Sequence, residues 1–215
     1  MPPATKKRES YSFFEFPSVH YGQRVRLSSR SYERTLIELE TTPGITGWRK
    51  VDQEVPFVSG GKEMTTVLQL VVSQGVESLS KQSWRKLQLV RGTDSDTEKA
   101  AIAAGRACCE REHIEHVVLS ANRPTVGPHE TQNRRAAHAW LVQAQGRSTR
   151  LLEQRLAQEV VHEHRLLSGL AELLGVTPLC ARLVFIRCWL RQMVSWDIGQ
   201  QPIGQDLLVA GVNDG

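Results

Sequence analysis

Apolar and polar positions change rhythm along this chain, first alternating in short runs and later recurring every third or fourth residue. From Tyr11 the runs are Tyr11-Ser12-Phe13-Phe14-Glu15-Phe16, Arg24-Val25-Arg26-Leu27 and Leu36-Ile37-Glu38-Leu39. Short runs of this kind, bounded by Pro17, Gly22 and Pro43-Gly44, predict strands. Trp48 to Val58 predicts another strand, ended by Gly60-Gly61. Thr66 to Ser73 fits either a buried strand or a short helix, and its β-branched content favours the strand. Trp84 to Arg91 predicts a further strand.

The clearest local signal follows. Ser95 with Glu98 three residues on has the form of a capping box, and Asp94 and Asp96 suit the positive end of a helix dipole. The predicted helix runs from Asp96 to Glu112, with Ala100, Ala101, Ala104 and Cys108 forming a face small enough to lie close on a sheet. Val117-Val118-Leu119 then returns to strand, so the unit is strand–helix–strand.

Ala121 to Glu130 contains Pro124, Gly127 and Pro128 and reads as a connection between two halves. Beyond it the pattern is helical, broken at Gly146 and at Gly175-Val176-Thr177-Pro178. Leu156, Val160, Leu167, Leu170 and Leu174 form one apolar stripe on the long middle helix. The expected fold is α+β, an N-terminal mixed sheet with one or more packed helices followed by a C-terminal helical bundle. The expected divisions are a disordered basic tail (1–10), a β-rich α/β domain (11–120), a linker (121–131), a helical region (132–198) and a loosely ordered tail (199–215). Leu207-Leu208-Val209 is a candidate for a short docked strand within that tail.

Charge adds a question about partners. The net charge is only +4, but residues 1–34 carry +4 and residues 101–150 carry +3, with −1 between them and −2 after them. Arginines outnumber lysines by 20 to 7, which suits bidentate phosphate contacts and also fits a coding bias. The aromatics Tyr11, Phe13, Phe14, Phe16 and Tyr21 lie beside Arg24, Arg26, Arg30 and Arg34. Such interleaving can stack bases while holding phosphates. A sheet with its aromatics inside and its arginines outside gives the same alternation. Arg134 and Arg135 join the arginines as candidate phosphate contacts.

Leu170-Ala171-Glu172-Leu173-Leu174-Gly175-Val176-Thr177-Pro178 resembles the first helix and turn of a prokaryotic helix-turn-helix. Ala171 and Gly175 stand where that family needs small residues, and Thr177 is placed to cap the next helix. The resemblance covers about twenty of the 215 residues and implies DNA contact through Arg182, Arg187 and Arg191. The second helix, from Leu179 to Ile186, is mostly apolar where the family presents polar side chains. A hairpin buried in a bundle accounts for the same residues.

Other chemistry is sparse. Cys109 and His113 are four apart on one predicted helix face, with His116 and His129 beyond, but no second ligand pair completes a zinc site. No metal or cofactor is expected. Glu159-x-x-His162 and His164 supply one half of a dimetal arrangement without the other. Gly60-Gly61-Lys62-Glu63 lacks the remaining elements of a phosphate-binding loop, and no nucleophile elbow, zinc-protease motif or dinucleotide fingerprint occurs. The four cysteines do not have the layout of a disulfide framework. The N-terminus carries no apolar leader, and Leu179–Leu190 is too short and too charged to span a bilayer, so no membrane partner is expected. The compartment these features suggest is cytoplasmic, or nuclear in a eukaryotic source.

Two functional expectations follow. One is a non-catalytic nucleic-acid-associated binding protein, with phosphate-backbone contacts from the N-terminal arginines and the C-terminal helices serving oligomerisation. The alternative is a structural or assembly protein that forms a homo-oligomer, or binds a partner protein, through residues 150–195. An enzyme ranks below both.

Overall fold

The structure, a computed structural model, describes residues 14–20, 22–27, 30–74, 83–120, 124–162, 164–204 and 206–212. Among these the fold is mixed α+β, with six α-helices and sheets of four, three and two strands.

β1 (Phe14–Pro17) and β2 (Arg24–Leu27) pair antiparallel as a two-stranded ribbon. The segment expected to form the next strand is instead helix α1 (Arg30–Glu40). Over eleven residues, Tyr32, Leu36 and Leu39 recur at helical spacing, and Ile37 widens the stripe. The four-residue window Leu36–Leu39 was too short to separate the two periods. Helix α1 stops at Thr41 and Thr42, whose hydroxyls donate back to the carbonyls of Ile37 (2.6 Å) and Glu38 (2.7 Å), and Pro43 then prevents continuation.

β3 (Ile45–Ser59), β4 (Lys62–Gln74), β5 (Ser83–Val90) and β6 (Glu115–Ser120) form the main sheet in that order. The first three are antiparallel and β6 runs parallel to β5. A parallel pair needs a crossover, and α2 (Asp96–Arg111) supplies it. Gly60 and Gly61 make the β3–β4 turn with φ of +56° and +73°, the doubly positive geometry of a tight hairpin. The capping signal also appears, in modified form. The Ser95 hydroxyl accepts from the Glu98 N–H at 3.2 Å, while the Glu98 carboxylate accepts from the N–H groups of Arg91, Gly92, Thr93 and Asp94.

The two faces of this sheet are covered differently. On one, α2 packs Ala104, Cys108 and Cys109 against Val55 and Leu68. On the other, the ribbon and α1 bring Phe16, Leu27, Leu36, Ile37 and Leu39 onto Trp48, Leu70, Val72 and Leu87. Gly105 of α2 sits against the Gln88 side chain. A β-carbon there would fall 2.4 Å from Gln88 Oε1, so glycine permits this approach.

The C-terminal half contains α3 (Glu130–Gln143), α4 (Arg150–His162), α5 (Leu170–Leu174) and α6 (Pro178–Leu190). It also contains three short strands, β7 (Arg165–Leu166), β8 (Val194–Ser195) and β9 (Leu208–Gly211), ordered β7-β9-β8. The expected long middle helix is therefore two helices with a strand between them. Its stripe remains on one core, because Leu156, Val160, Leu167, Leu170 and Leu174 are all buried together. That core closes around α6, where Val184, Phe185, Ile186 and Cys188 have no exposed surface. Burying a side chain as large as Phe185 or Ile186 contributes roughly 1.5–3 kcal/mol.

The C-terminal segment adds Leu207 and Val209 to the same core. Besides β9, the Asn133 amide donates to the carbonyls of Ile198 and Gln201, both at 2.7 Å, and its oxygen accepts from Ile203 N–H at 2.8 Å. The expected linker is likewise packed in its described part: Gly127 lies against the backbone of Gly199, and His129 N–H donates to Gly199 O at 3.1 Å. No single helix among the described residues is long and apolar enough to cross a membrane.

Candidate nucleic-acid interface

The alternation of β2 sorts its four side chains. Leu27 is buried and Val25 packs against the same core, while Arg24 and Arg26 are exposed on the outer face of the ribbon. Arg24 meets Glu15 at 2.9 Å, with both side chains largely in solvent, a pairing of little energetic weight. The aromatics face the other way. Phe16 is buried between Trp48 and His138, and Phe14 is half-buried against the same cluster. For Phe14 the packed geometry matches the core alternative rather than an open stacking platform. Phe13 lies outside the described residues.

Arg30 is the first residue of α1. Arg34 is half-buried and, with Arg135 and Arg134 of α3, lines a small pocket of about 180 Å³ that also holds Glu33, Glu38 and Glu130. Only Arg135 of the α3 pair is exposed. Arg134 is occupied internally. Its Nε donates to Glu130 at 2.8 Å and its Nη1 to the Thr41 carbonyl at 2.6 Å. It thus caps the C-terminal end of α1 from the other half of the chain, where a cation suits the helix dipole.

Beside this cap lies a buried node that joins the two halves. The Glu40 carboxylate has no exposed surface. It accepts from Ser18 Oγ (2.5 Å), Val19 N–H (3.0 Å), Trp48 Nε1 (3.1 Å) and His138 Nε2 (3.0 Å). The same His138 nitrogen lies 3.1 Å from the Pro17 carbonyl. Both neighbours are acceptors, so His138 carries its proton on Nε2. Burial alone would raise the Glu40 pKa, but the hydrogen bonds from His138, Ser18 and Val19, with the His138 charge, outweigh it and hold the carboxyl below its ordinary value.

The segment that resembles a helix-turn-helix has the turn that resemblance implies. Gly175 is left-handed with φ of +67°, Thr177 Oγ1 accepts from Cys180 N–H, and the segments Leu167–Leu174 and Pro178–Leu190 are bent by 107°. The second helix, however, is the central core helix of its half, and its arginines have internal partners. Arg182 lies over the Trp140 ring at 5.2 Å. Arg187 donates to the Arg147 carbonyl at 2.7 Å and to Thr149 Oγ1 at 2.5 Å. Arg191 is paired with the buried Glu153.

The candidate metal ligands diverge. Cys109 is fully buried under the sheet, His113 is exposed at a position with φ of +56°, and His116 Nε2 bonds Gln88 Oε1 at 2.9 Å. Gln88 donates its amide to Thr66 Oγ1 and Ala101 O, so its oxygen is the acceptor and His116 Nε2 the donor. Burial first, then the charge of Arg106, keeps the His116 pKa low. Among the described residues, no three His, Cys, Asp or Glu side chains are grouped to hold a metal ion.

Sequence reasoning passed over two features. Trp84 is 44 % exposed on β5, with the Arg49 guanidinium 5.9 Å from its ring, an aromatic–arginine pair on the sheet surface. The second is a cleft between the halves, bordered by Arg150, Arg187 and Arg191. The arginines of that cleft lie on two different helices, and no short motif joins them. The sequence matches no protein-family model, and no curated protein is significantly similar to it.

Proposed function

We propose that this is a non-catalytic nucleic-acid-associated binding protein whose contacts are chiefly with phosphates. The observation that carries the reading is the outer face of the β1–β2 ribbon. Arg24 and Arg26 are two residues apart and exposed, on a strand whose other side is anchored by Val25 and Leu27. A ribbon held in this way presents cations at fixed spacing without using them to hold the fold, as backbone contact requires. Arg30 and Arg34 follow in sequence, and Arg135 is exposed on α3. Arg134 and Arg182 drop out of the contact set because Glu130, Thr41 and Trp140 already engage them. Trp84 with Arg49 takes over the stacking role first assigned to Phe14.

The alternative, assembly through residues 150–195, is less favoured because the stripe from Leu156 to Leu174 lies inside the chain's own core.

Fluorescence anisotropy with short single- and double-stranded DNA and RNA tests the proposal. Binding at low salt that weakens steeply as salt rises is expected, and Trp84→Ala should weaken single-strand binding without unfolding the protein. The absence of binding to all four probes at low salt would overturn it.

A further inference from the structure

Between the halves lies a cleft of about 480 Å³, within the size range of small-molecule sites. One wall is the turn around Ile45 with Val19 and His20. The other is the start of α4 and the end of α6. A hydrogen bond from Gly44 N–H to Leu190 O at 3.1 Å ties the two walls together.

Its charge does not balance. Arg150, Arg187 and Arg191 border the cleft, and Glu153 is the one carboxylate among its lining residues. Glu153 is 2 % exposed and takes the Arg191 Nη1. It also accepts from Thr149 Oγ1 at 2.5 Å, while Arg187 Nη1 stays 4.0 Å away. The Arg187 side chain is only 21 % exposed. Its Nη1 is spent on Arg147 and Thr149, and its other nitrogens find no acceptor among the described residues. Arg150, at the first residue of α4, is exposed. The cleft therefore carries a surplus of two positive charges, one of them on the partly buried Arg187, an arrangement that an anion would balance. Burial, more than the neighbouring charges, also lowers the Arg187 pKa.

We infer that this cleft binds a phosphomonoester attached to an apolar or planar group. A phosphomonoester carries nearly two negative charges at neutral pH, matching the surplus, whereas a carboxylate carries one. Guanidinium groups grip such an oxyanion with paired donors. Ile45, Leu141, Leu190 and Met193 offer the apolar surface for the rest of the ligand. A free mononucleotide and the phosphorylated 5′ end of a nucleic-acid strand share this chemistry. The inference stands independently of the ribbon, which contributes no residue to the cleft.

The test is calorimetric titration of the full chain with AMP, adenosine, and 5′-phosphorylated and 5′-hydroxyl forms of one short oligonucleotide. AMP or the 5′-phosphorylated strand should bind saturably, and its counterpart without phosphate at least tenfold more weakly. Arg150→Ala, an exposed change, should weaken the phosphate-bearing probe by about tenfold, the effect of losing one charged hydrogen bond. Arg155→Ala, at an exposed arginine of α4 outside the cleft lining, should leave AMP binding unchanged. Tighter binding of AMP assigns the site to a free nucleotide, and tighter binding of the 5′-phosphorylated strand assigns it to a strand end. If neither binds at millimolar concentration, or if Arg150→Ala changes nothing, the inference is wrong. AMP binding in a protein that binds no oligonucleotide would leave the cleft standing and remove the ribbon proposal.

Discussion

Glu40→Gln is the sharpest probe of how the two halves are joined, because it keeps the shape of the side chain and removes half of its acceptors. Five donors converge on the two carboxylate oxygens: Ser18 Oγ, the N–H groups of Val19 and His20, Trp48 Nε1 and His138 Nε2. A glutamine oxygen in the Oε1 place keeps Ser18 and Trp48. Val19 N–H keeps Oε1 at 3.1 Å and His138 Nε2 keeps the Pro17 carbonyl at 3.1 Å, but the buried amide group now points its own hydrogens at these two donors and finds no acceptor. A buried unsatisfied donor group costs about 1–3 kcal/mol, so a loss of roughly that size is predicted. Urea unfolding followed by tryptophan fluorescence measures it, with Glu33→Gln on the exposed face of α1 as a control near zero. The pH dependence gives a second readout. The folded pKa of Glu40 is depressed, so its contribution is present above the unfolded carboxyl value of about 4.3. That contribution is lost as pH falls through the lower folded value. The Glu40→Gln protein should lack this acid limb. A loss below about 0.5 kcal/mol, within the range of ordinary surface changes, would refute the argument.

Three further outcomes follow from the same packing. Arg134→Ala removes the charged bond to the Thr41 carbonyl and should lower stability by roughly 1.5–3 kcal/mol, while leaving the salt dependence of any nucleic-acid binding unchanged. Gly105→Ala would gain about 1 kcal/mol in an open helix. Here it should lose about 1 kcal/mol instead, because the methyl group strikes a Gln88 side chain already fixed by Thr66, Ala101 and His116, and a stabilised variant would contradict the packing. Gly127→Ala places its β-carbon 2.3 Å from the Gly199 carbonyl oxygen. Backbone cannot swing aside as a side chain can, so thermal unfolding should show a loss of roughly 1–3 kcal/mol.

What the sequence revealed depended on how local the controlling interactions were. Helix α2 was legible because Ser95, Glu98 and the acidic first turn act within five residues of one another. The end of β3 was legible because Gly60-Gly61 interrupts the strand pattern locally. Helix α1 was misread because Leu36–Leu39 spans about one helical turn, which leaves its period undefined. The end of α4 carries no glycine or proline, Gly169 coming only at the start of α5, and the strand between the two helices exists because β9, some forty residues on, pairs with it. The same distance effect hid the partners of the arginines. Arg134 looked like a phosphate contact until Thr41, 93 residues earlier, was brought beneath it. Glu40 and His138, 98 residues apart, share no motif at all.

The central claim, that exposed ribbon arginines hold phosphates, is tested most directly by the salt dependence of duplex DNA binding in the wild type and in Arg24→Ala/Arg26→Ala. Each phosphate contact releases counterions and adds about 0.9 to the slope of log affinity against log salt. Losing two contacts should therefore flatten the slope by nearly two units, with the urea midpoint unchanged because both side chains lie on the outer face of the ribbon. An identical slope in the two proteins, both folded, would contradict the account.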